Sequence, residues 1–359
     1  MEKSLYLVLE NGKIFKGYSI GADGDVTGEV VFQTSVLGYN ETITDPRYYG
    51  QIVVDTFPLV GNYGIIKEEI GSKKPVIGGF VVKSICDAPS NFRCEGNLED
   101  YMKENGIVGL AGIDTRELTR IIRENGTLAA KITKDIDNID SIIKELKSYK
   151  EEISYKDVSI DNIKEIKAEN AKGSVCIYDL GMTDSFKELF LTNGFDVTVV
   201  PYDTKAEDVI NIGADAVVIS EGPGNPENCK NISEEIKKLI DKDIAVYGCG
   251  LGHQLVALAM GAKIKKHPYG HRGANQPVKD TKTDKIYITS QNHGYIVDDS
   301  ALPKNAKISF VNVNDKTIEG LEFDGKKIIT TQFMPNNCKG PHNTEFIIDS
   351  LFSIMKGEN

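Results

Sequence analysis

Long apolar runs, an excess of basic charge and paired cysteines are all missing from this 359-residue chain, and each absence removes a class of function. Forty-two Lys and Arg stand against 53 Asp and Glu, a formal charge of -11. Such a balance repels phosphate backbones and anionic lipid, so neither nucleic acid nor a membrane surface is expected as a partner. The apolar stretch at 5–9, between Lys3 and Glu10, is too short for a signal-peptide core or a spanning helix, and a cytoplasmic location is expected. Six cysteines (Cys86, Cys94, Cys176, Cys229, Cys249, Cys338) are scattered without a C-x-x-C pair. A chain of this length needs no staples, so free thiols are expected, and no metal site. No G-x-x-x-x-G-K-[ST] loop occurs, so nothing here binds ATP by a recognisable motif. Internal repeats and low-complexity tracts are absent too.

What is present divides in two. The length favours two domains with separate cores. Gly-punctuated strand patterns at 5–9, 29–33, 52–57 and 76–82 make the N-terminal part a mixed β/α domain, placed at 1–150. Its clearest helix is 114–123, with Asp114 and Thr115 as caps, Glu117 completing a capping box, and Asn125-Gly126 ending it. A second helix is expected at 139–149. The segment 151–172, rich in Lys, Glu and Asp, reads as a linker. From 173 to 359, strand patterns at 175–178, 197–200, 216–219 and 244–247 alternate with helix patterns at 185–193, 205–212, 232–240 and 251–260. That alternation predicts an α/β domain with a central, mostly parallel sheet. Strands at 285–289, 308–313, 318–323 and 328–333 and a helix at 345–355 complete it.

One turn carries chemical information. The strand 244–247 runs into Gly248-Cys249-Gly250-Leu251-Gly252-His253-Gln254 and then into an apolar helix. Spaced glycines between a strand and a helix are the frame of a nucleophile elbow, which lifts its middle residue toward backbone N–H groups that stabilise an oxyanion. The middle residue here is Gly250, which supplies no nucleophile. Cys249 lies one position early, and on a strand end its side chain is expected to aim at the opposite face, as a small buried apolar residue.

The turn resembles the G-x-C-x-G-H-Q elbow of class I glutamine amidotransferases. Ser220-Glu-Gly-Pro-Gly-Asn-Pro226 is similar to that family's S-x-G-P-G-D-P loop, with Asn225 in place of the usual acid. Gln291-Asn-His-Gly-Tyr295 and Pro268-Tyr-Gly-His-Arg-Gly-Ala-Asn275 with Pro277-Val278 resemble segments of the carbamoyl-phosphate synthase small subunits. So do the 28–41 stretch, Asp45-Pro46, Gly61-Asn-Tyr-Gly64 and the 113–120 stretch in the N-terminal half. The resemblance implies a partner, the large synthetase subunit, which would hold ATP and Mg, with no cofactor in this chain. It implies carbamoyl phosphate formation for arginine and pyrimidine biosynthesis, supplied with ammonia from glutamine by a Cys, His and Glu. It places glutamine-holding groups at Ser35, Gly222, Gly224, Leu251, Gln254, Asn292, Gly294 and Tyr295.

The same resemblance shows what has gone. Where the family has Cys, His and Glu, this chain has Gly250, Met334 and Asn336. Methionine accepts no proton at neutral pH, and asparagine has no charge to steady an imidazolium. Of the five histidines, His253, His271 and His293 fall in motifs where the family has histidine outside its triad, and His267 and His342 are expected at the surface. Loss of glutaminase activity is the expectation. Residual hydrolysis through Cys249, or a non-catalytic protein that senses glutamine, are the alternatives.

Overall fold

The computed structural model describes residues 4–71, 74–335, 343–344 and 346–357. Two compact units emerge, Met1–Ile153 and Ser154–Asn359. In the first, the strands are β1 (Ser4–Leu9), β2 (Ile14–Gly21), β3 (Val26–Gln33), β4 (Ile52–Asp55), β5 (Leu59–Val60), β6 (Gly79–Val81), β7 (Ser84–Ile85), β8 (Val108–Ala111) and β9 (Leu128–Thr133). Seven close into a barrel in the order β1-β2-β8-β6-β4-β3-β9, and β5 with β7 forms a separate ribbon. Pairs β3–β4, β4–β6 and β6–β8 are parallel and the other barrel pairs antiparallel, which makes this a mixed β/α unit. Its helices are α1 (Tyr39–Thr44), α2 (Leu98–Glu104), α3 (Thr115–Asn125) and α4 (Ile139–Lys147). The predicted caps of α3 are in place. The Asp114 carboxylate accepts the Glu117 N–H at 2.9 Å, and Gly126, at φ 87°, ends the helix.

The second unit is a ten-stranded sheet in the order β10-β12-β11-β13-β14-β19-β18-β17-β15-β16. Its strands are β10 (Lys164–Ile166), β11 (Gly173–Asp179), β12 (Phe195–Pro201), β13 (Ala216–Ile219), β14 (Ala245–Cys249), β15 (Ile264–Asp280), β16 (Ile286–Val297), β17 (Ala306–Asn312), β18 (Ile318–Phe323) and β19 (Ile328–Thr331). The five strands β12, β11, β13, β14 and β19 are mutually parallel, and the rest of the sheet is antiparallel. Helices α5 (Asp184–Thr192), α6 (Ala206–Ile212), α7 (Lys230–Asp241), α8 (Leu251–Ala259) and α9 (Phe346–Lys356) complete it. Alternation along β14 shows how the layers form. Val246 enters the core beneath α6, α7 and α8, while Ala245, Tyr247 and Cys249 enter the opposite core beneath α5 and α9.

One sequence expectation changes. The 151–172 segment is drawn into the second unit from Ser154 on, because β10 adds an antiparallel edge to β12 through Lys164↔Val199 and Ile166↔Val197. The stretch 264–280 forms one long strand, with irregularities between Lys266 and His271, around Pro268 and Gly270, and between Gly273 and Gln276. Among the described residues no helix is long and apolar enough to cross a membrane.

Candidate functional site

Open α/β sheets present their sites beyond the carboxyl ends of the parallel strands. Three such ends converge here, those of β13, β14 and β19, held in register by Ile219↔Gly248 and Cys249↔Thr331. Gly250 follows β14 directly at φ 56° and ψ -112°, a backbone that side chains other than glycine adopt only under strain. Its N–H donates to Thr331 O at 2.9 Å. The flanking glycines are sterically required. A Cβ on Gly252 would collide with the Ile219 carbonyl, and one on Gly248 would lie 2.7 Å from Gly252 O. Strand and helix therefore approach as closely as the elbow frame demands.

The Gly-Pro-Gly loop packs against the same turn. Gly252 N–H donates to Ser220 O at 3.1 Å, and Gly224 sits at φ 94°. Glu221 is buried beside Gly250, and a Cβ placed on Gly250 would lie 3.2 Å from Glu221 Cβ. The Glu221 carboxylate accepts from Thr183 N at 3.1 Å and Thr183 Oγ1 at 2.8 Å, at the start of α5. Asn225 Oδ1 accepts from Glu227 N at 3.0 Å and starts a short helical turn.

The third wall comes from β16 and the chain after β19. Gln254, on α8, donates from Nε2 to Tyr295 O at 2.7 Å and to Gln332 Oε1 at 3.0 Å. Met334 N–H donates to Ser290 O at 3.2 Å, and the Met334 side chain is buried in the core beneath α9. Leu251 and Gln254 follow Gly250 on α8, Gly222 and Gly224 lie in the loop that begins at Ser220 beside Gly252, and Tyr295 is tied to Gln254 on the strand that also carries Asn292 and Gly294. Gly222, Gly224, Gly250, Asn292, Gly294 and Tyr295 keep some exposure, whereas Leu251 and Gln254 are buried. Ser35 belongs to the first unit, where its N–H donates to Gln33 Oε1 at 2.8 Å. Asn336, Cys338 and His342 lie outside the described residues.

Cys249 is fully buried, with Sγ 3.5 Å from Phe333 O and 4.0 Å from Glu221 Oε2. It packs with Tyr247, Phe333 and Met334 on the face expected from strand alternation. The described cysteines are all free; Cys176, Cys229 and Cys249 are buried, and Cys86 and Cys94 are partly exposed. Burial pushes the Cys176 thiol up to about 12 and also raises Cys229. At pH 8 in the native state, alkylation mapped by peptide mass spectrometry is therefore expected to mark Cys86 and Cys94 and to spare Cys176, Cys229 and Cys249. Labelling of Cys249 without denaturant would contradict this.

The described histidines are each engaged in other contacts. His253 is fully buried on α8, with Nδ1 2.8 Å from Thr330 Oγ1, and burial lowers its pKa to about 3. Below the unfolded value of about 6.5, the unfolded chain takes up this proton and the folded chain does not. Stability is therefore lost as pH falls from about 6.5 toward 3, by up to about 1.4 kcal/mol per pH unit from this group. Urea unfolding of His253→Gln at several pH values should show a shallower acid slope than the unmodified chain. Equal slopes would remove His253 as the cause.

His267 is not at the surface. It is buried on β15, near His271, with Nε2 3.3 Å from Asp315 Oδ2, because the strand that carries both histidines runs through the interior of the hairpin. His271 Nε2 lies 2.8 Å from the same oxygen, and His271 Nδ1 lies 3.4 Å from Glu319 Oε1. Burial works to lower His271, but the Asp315 and Glu319 carboxylates outweigh it and carry its pKa up to about 9. Across the β15–β16 pair, His293 faces His271, and burial holds it well below the ordinary histidine range. No spacing in the sequence announces this cluster, since Asp315 arrives from the β17–β18 turn and Glu319 from β18 itself.

With this geometry in hand, likeness to known proteins becomes decisive. Residues 7–132 match the family model described as the carbamoyl-phosphate synthase small chain, CPSase domain, and residues 176–354 match glutamine amidotransferase class-I. The "Carbamoyl phosphate synthase small chain" of Clostridium perfringens is 45% identical over 345 residues, covering 96% of this chain and 97% of that one. This chain belongs to the carbamoyl-phosphate synthase small-chain family. The proteins of the same name from Fusobacterium nucleatum and Staphylococcus saprophyticus are 43% and 42% identical, covering 96% and 99% of this chain and 96% and 97% of theirs. In small-chain terms, the first unit holds the CPSase-domain match and the second holds the class I amidotransferase match.

Proposed function

We propose that this small chain serves its large-chain partner without hydrolysing glutamine, so that the pair makes carbamoyl phosphate from free ammonia. One observation carries the proposal: the residue lifted out of the sheet at the elbow is Gly250, and among the described residues the neighbouring thiol, Cys249, is sealed in the opposite core. A sulfur attacks an amide carbon only as an accessible thiolate beside a base. Met334, three residues beyond the neighbouring strand β19, supplies no base, and Asn336 follows it in sequence where an orienting carboxylate is needed. The large chain would carry ATP and Mg, and the product would feed arginine and pyrimidine synthesis in the cytoplasm.

The frame around Gly250 supports a second role for the same pocket. Gly222, Gly224, Leu251, Gln254, Asn292, Gly294 and Tyr295 stand as candidate glutamine-holding groups of the second unit, and Ser35 as a separate candidate of the first, so glutamine remains a ligand on this proposal. The proposal is tested by combining the purified chain with the large chain and supplying glutamine or ammonia in turn. Ammonia-supported synthesis with no glutamine-supported synthesis is expected. Robust synthesis from glutamine overturns the proposal, and calorimetry with glutamine alone distinguishes a liganded pocket from a bare scaffold.

A further inference from the structure

We propose that His267 Nε2, His271 Nε2 and an Asp315 carboxylate oxygen form a binding site for a divalent cation of the zinc class. The three donor atoms lie within 4.8 Å of one another. Asp315 Oδ2 is 3.3 Å from His267 Nε2 and 2.8 Å from His271 Nε2. Two imidazoles and one carboxylate are a donor set that suits zinc in its open form, where three protein ligands leave a fourth position to solvent. The side chains of His267 and His271 are 8% and 6% exposed and that of Asp315 is 28% exposed, so the cluster is walled by protein on one side and reachable from the other.

The surroundings of His271 complete the argument. An imidazole that ligates a metal gives its other ring N–H to a carboxylate or carbonyl, which fixes its orientation. His271 Nδ1 is aimed at Glu319 Oε1 at 3.4 Å and has no closer hydrogen-bond partner. Glu319 is itself fully buried and held by Gln291 Nε2 at 2.9 Å. Asp315 accepts from Thr317 Oγ1 at 2.8 Å through its other oxygen, which leaves Oδ2 facing the histidines. Two carboxylates balance a dication in a place where a bare one would be strongly disfavoured.

His267 is the weakest of the three. Its Nδ1 accepts the Gly270 N–H at 2.9 Å, and an imidazole that offers Nε2 to a metal must carry its proton on Nδ1, so that one bond is given up. An ion here would tie β15 to the β17–β18 turn. Through Glu319, Gln291 and His293 it would also steady β16, the strand of Asn292, Gly294 and Tyr295.

The experiment uses the full chain, stripped with a chelator and titrated with Co2+ as a spectroscopic stand-in for Zn2+. One equivalent should bind with visible ligand-field bands and without a thiolate charge-transfer band, and Zn2+ should displace it. Asp315→Asn and His271→Asn should each weaken binding by at least about a hundredfold. His267→Asn should weaken it less, and Glu319→Gln by about 10–100-fold. Absence of saturable bands in the unmodified chain, a thiolate band, or binding unchanged in His271→Asn/Asp315→Asn overturns the proposal. The titration of the unmodified chain decides even where a variant fails to fold. Neither result bears on glutamine hydrolysis, which depends on Gly250.

Discussion

Gly250→Cys, made alone, is expected to leave glutamine hydrolysis at background, while Gly250→Cys/Met334→His/Asn336→Glu is expected to raise it by roughly a thousandfold or more. Groups that act as one unit are strongly non-additive, and a nucleophile without its base gains little over the oxyanion donors alone. The local structure adds a reason specific to this chain. Position 250 already has the bent backbone of an elbow, at φ 56° and ψ -112°, so a thiol placed there would be lifted out of the sheet. Yet its Cβ would sit 3.2 Å from Glu221 Cβ, so the thiol would share its surroundings with an acidic side chain whose negative charge opposes formation of a thiolate. Adding Glu221→Gln to the triple variant should therefore raise the rate further at neutral pH by lowering the thiol pKa. The assay is ammonia release from glutamine by the purified chain, with and without the large chain. A single Gly250→Cys variant that hydrolyses glutamine as fast as the triple variant would show that a base exists elsewhere in the pocket.

Much of this was legible before any coordinates, and the parts that were not have physical causes. The α/β pattern of the second unit could be read because its parallel strands are buried on both faces and written as short β-branched runs such as 216–219. The elbow could be read because glycine spacing records backbone proximity, and Gly248 and Gly252 stand where a Cβ has no room. The direction of Cys249 followed from strand alternation alone. The end of β19 was harder, since the strand pattern read at 328–333 continues past the last sheet pair. The strand ends at Thr331, although Gln332 N–H still reaches Glu319 O, and Phe333 then drops into the core beneath α9. The buried state of His267 was hidden for a different reason. Its partner Asp315 is 48 positions away on a turn whose Lys316 has φ 66°, and only the pairing of β15 with β17 brings the two together. Sequence periodicity reports which face a residue takes, and it carries no information about which distant turn will cover that face.

Gly252→Ala is expected to destabilise the chain by about 3 kcal/mol or more, the largest stability effect of any single methyl group near the site. The added carbon would be driven into the Ile219 carbonyl, with Ile219 Cβ only 3.0 Å away. Backbone at the end of β13 cannot yield as a flexible side chain can. Ile219 is paired to both sides, with Tyr178 on β11 and Gly248 on β14, and Gly252 N–H is bonded to Ser220 O in the next residue. Relief requires α8 to lift from the sheet, which opens the core that holds Leu255 and Val256 and moves Gln254 away from Tyr295 O. A matched control is Gly96→Ala, where nothing lies within 4 Å of the new carbon and the backbone is not left-handed. There the restricted unfolded chain should make the effect neutral or stabilising by about 0.4–1 kcal/mol. Urea unfolding of both variants measures the difference directly. If Gly252→Ala unfolds at the same urea concentration as Gly96→Ala, the strand and helix do not approach as closely as the elbow requires, and the reason for placing glycine on either side of position 250 is lost.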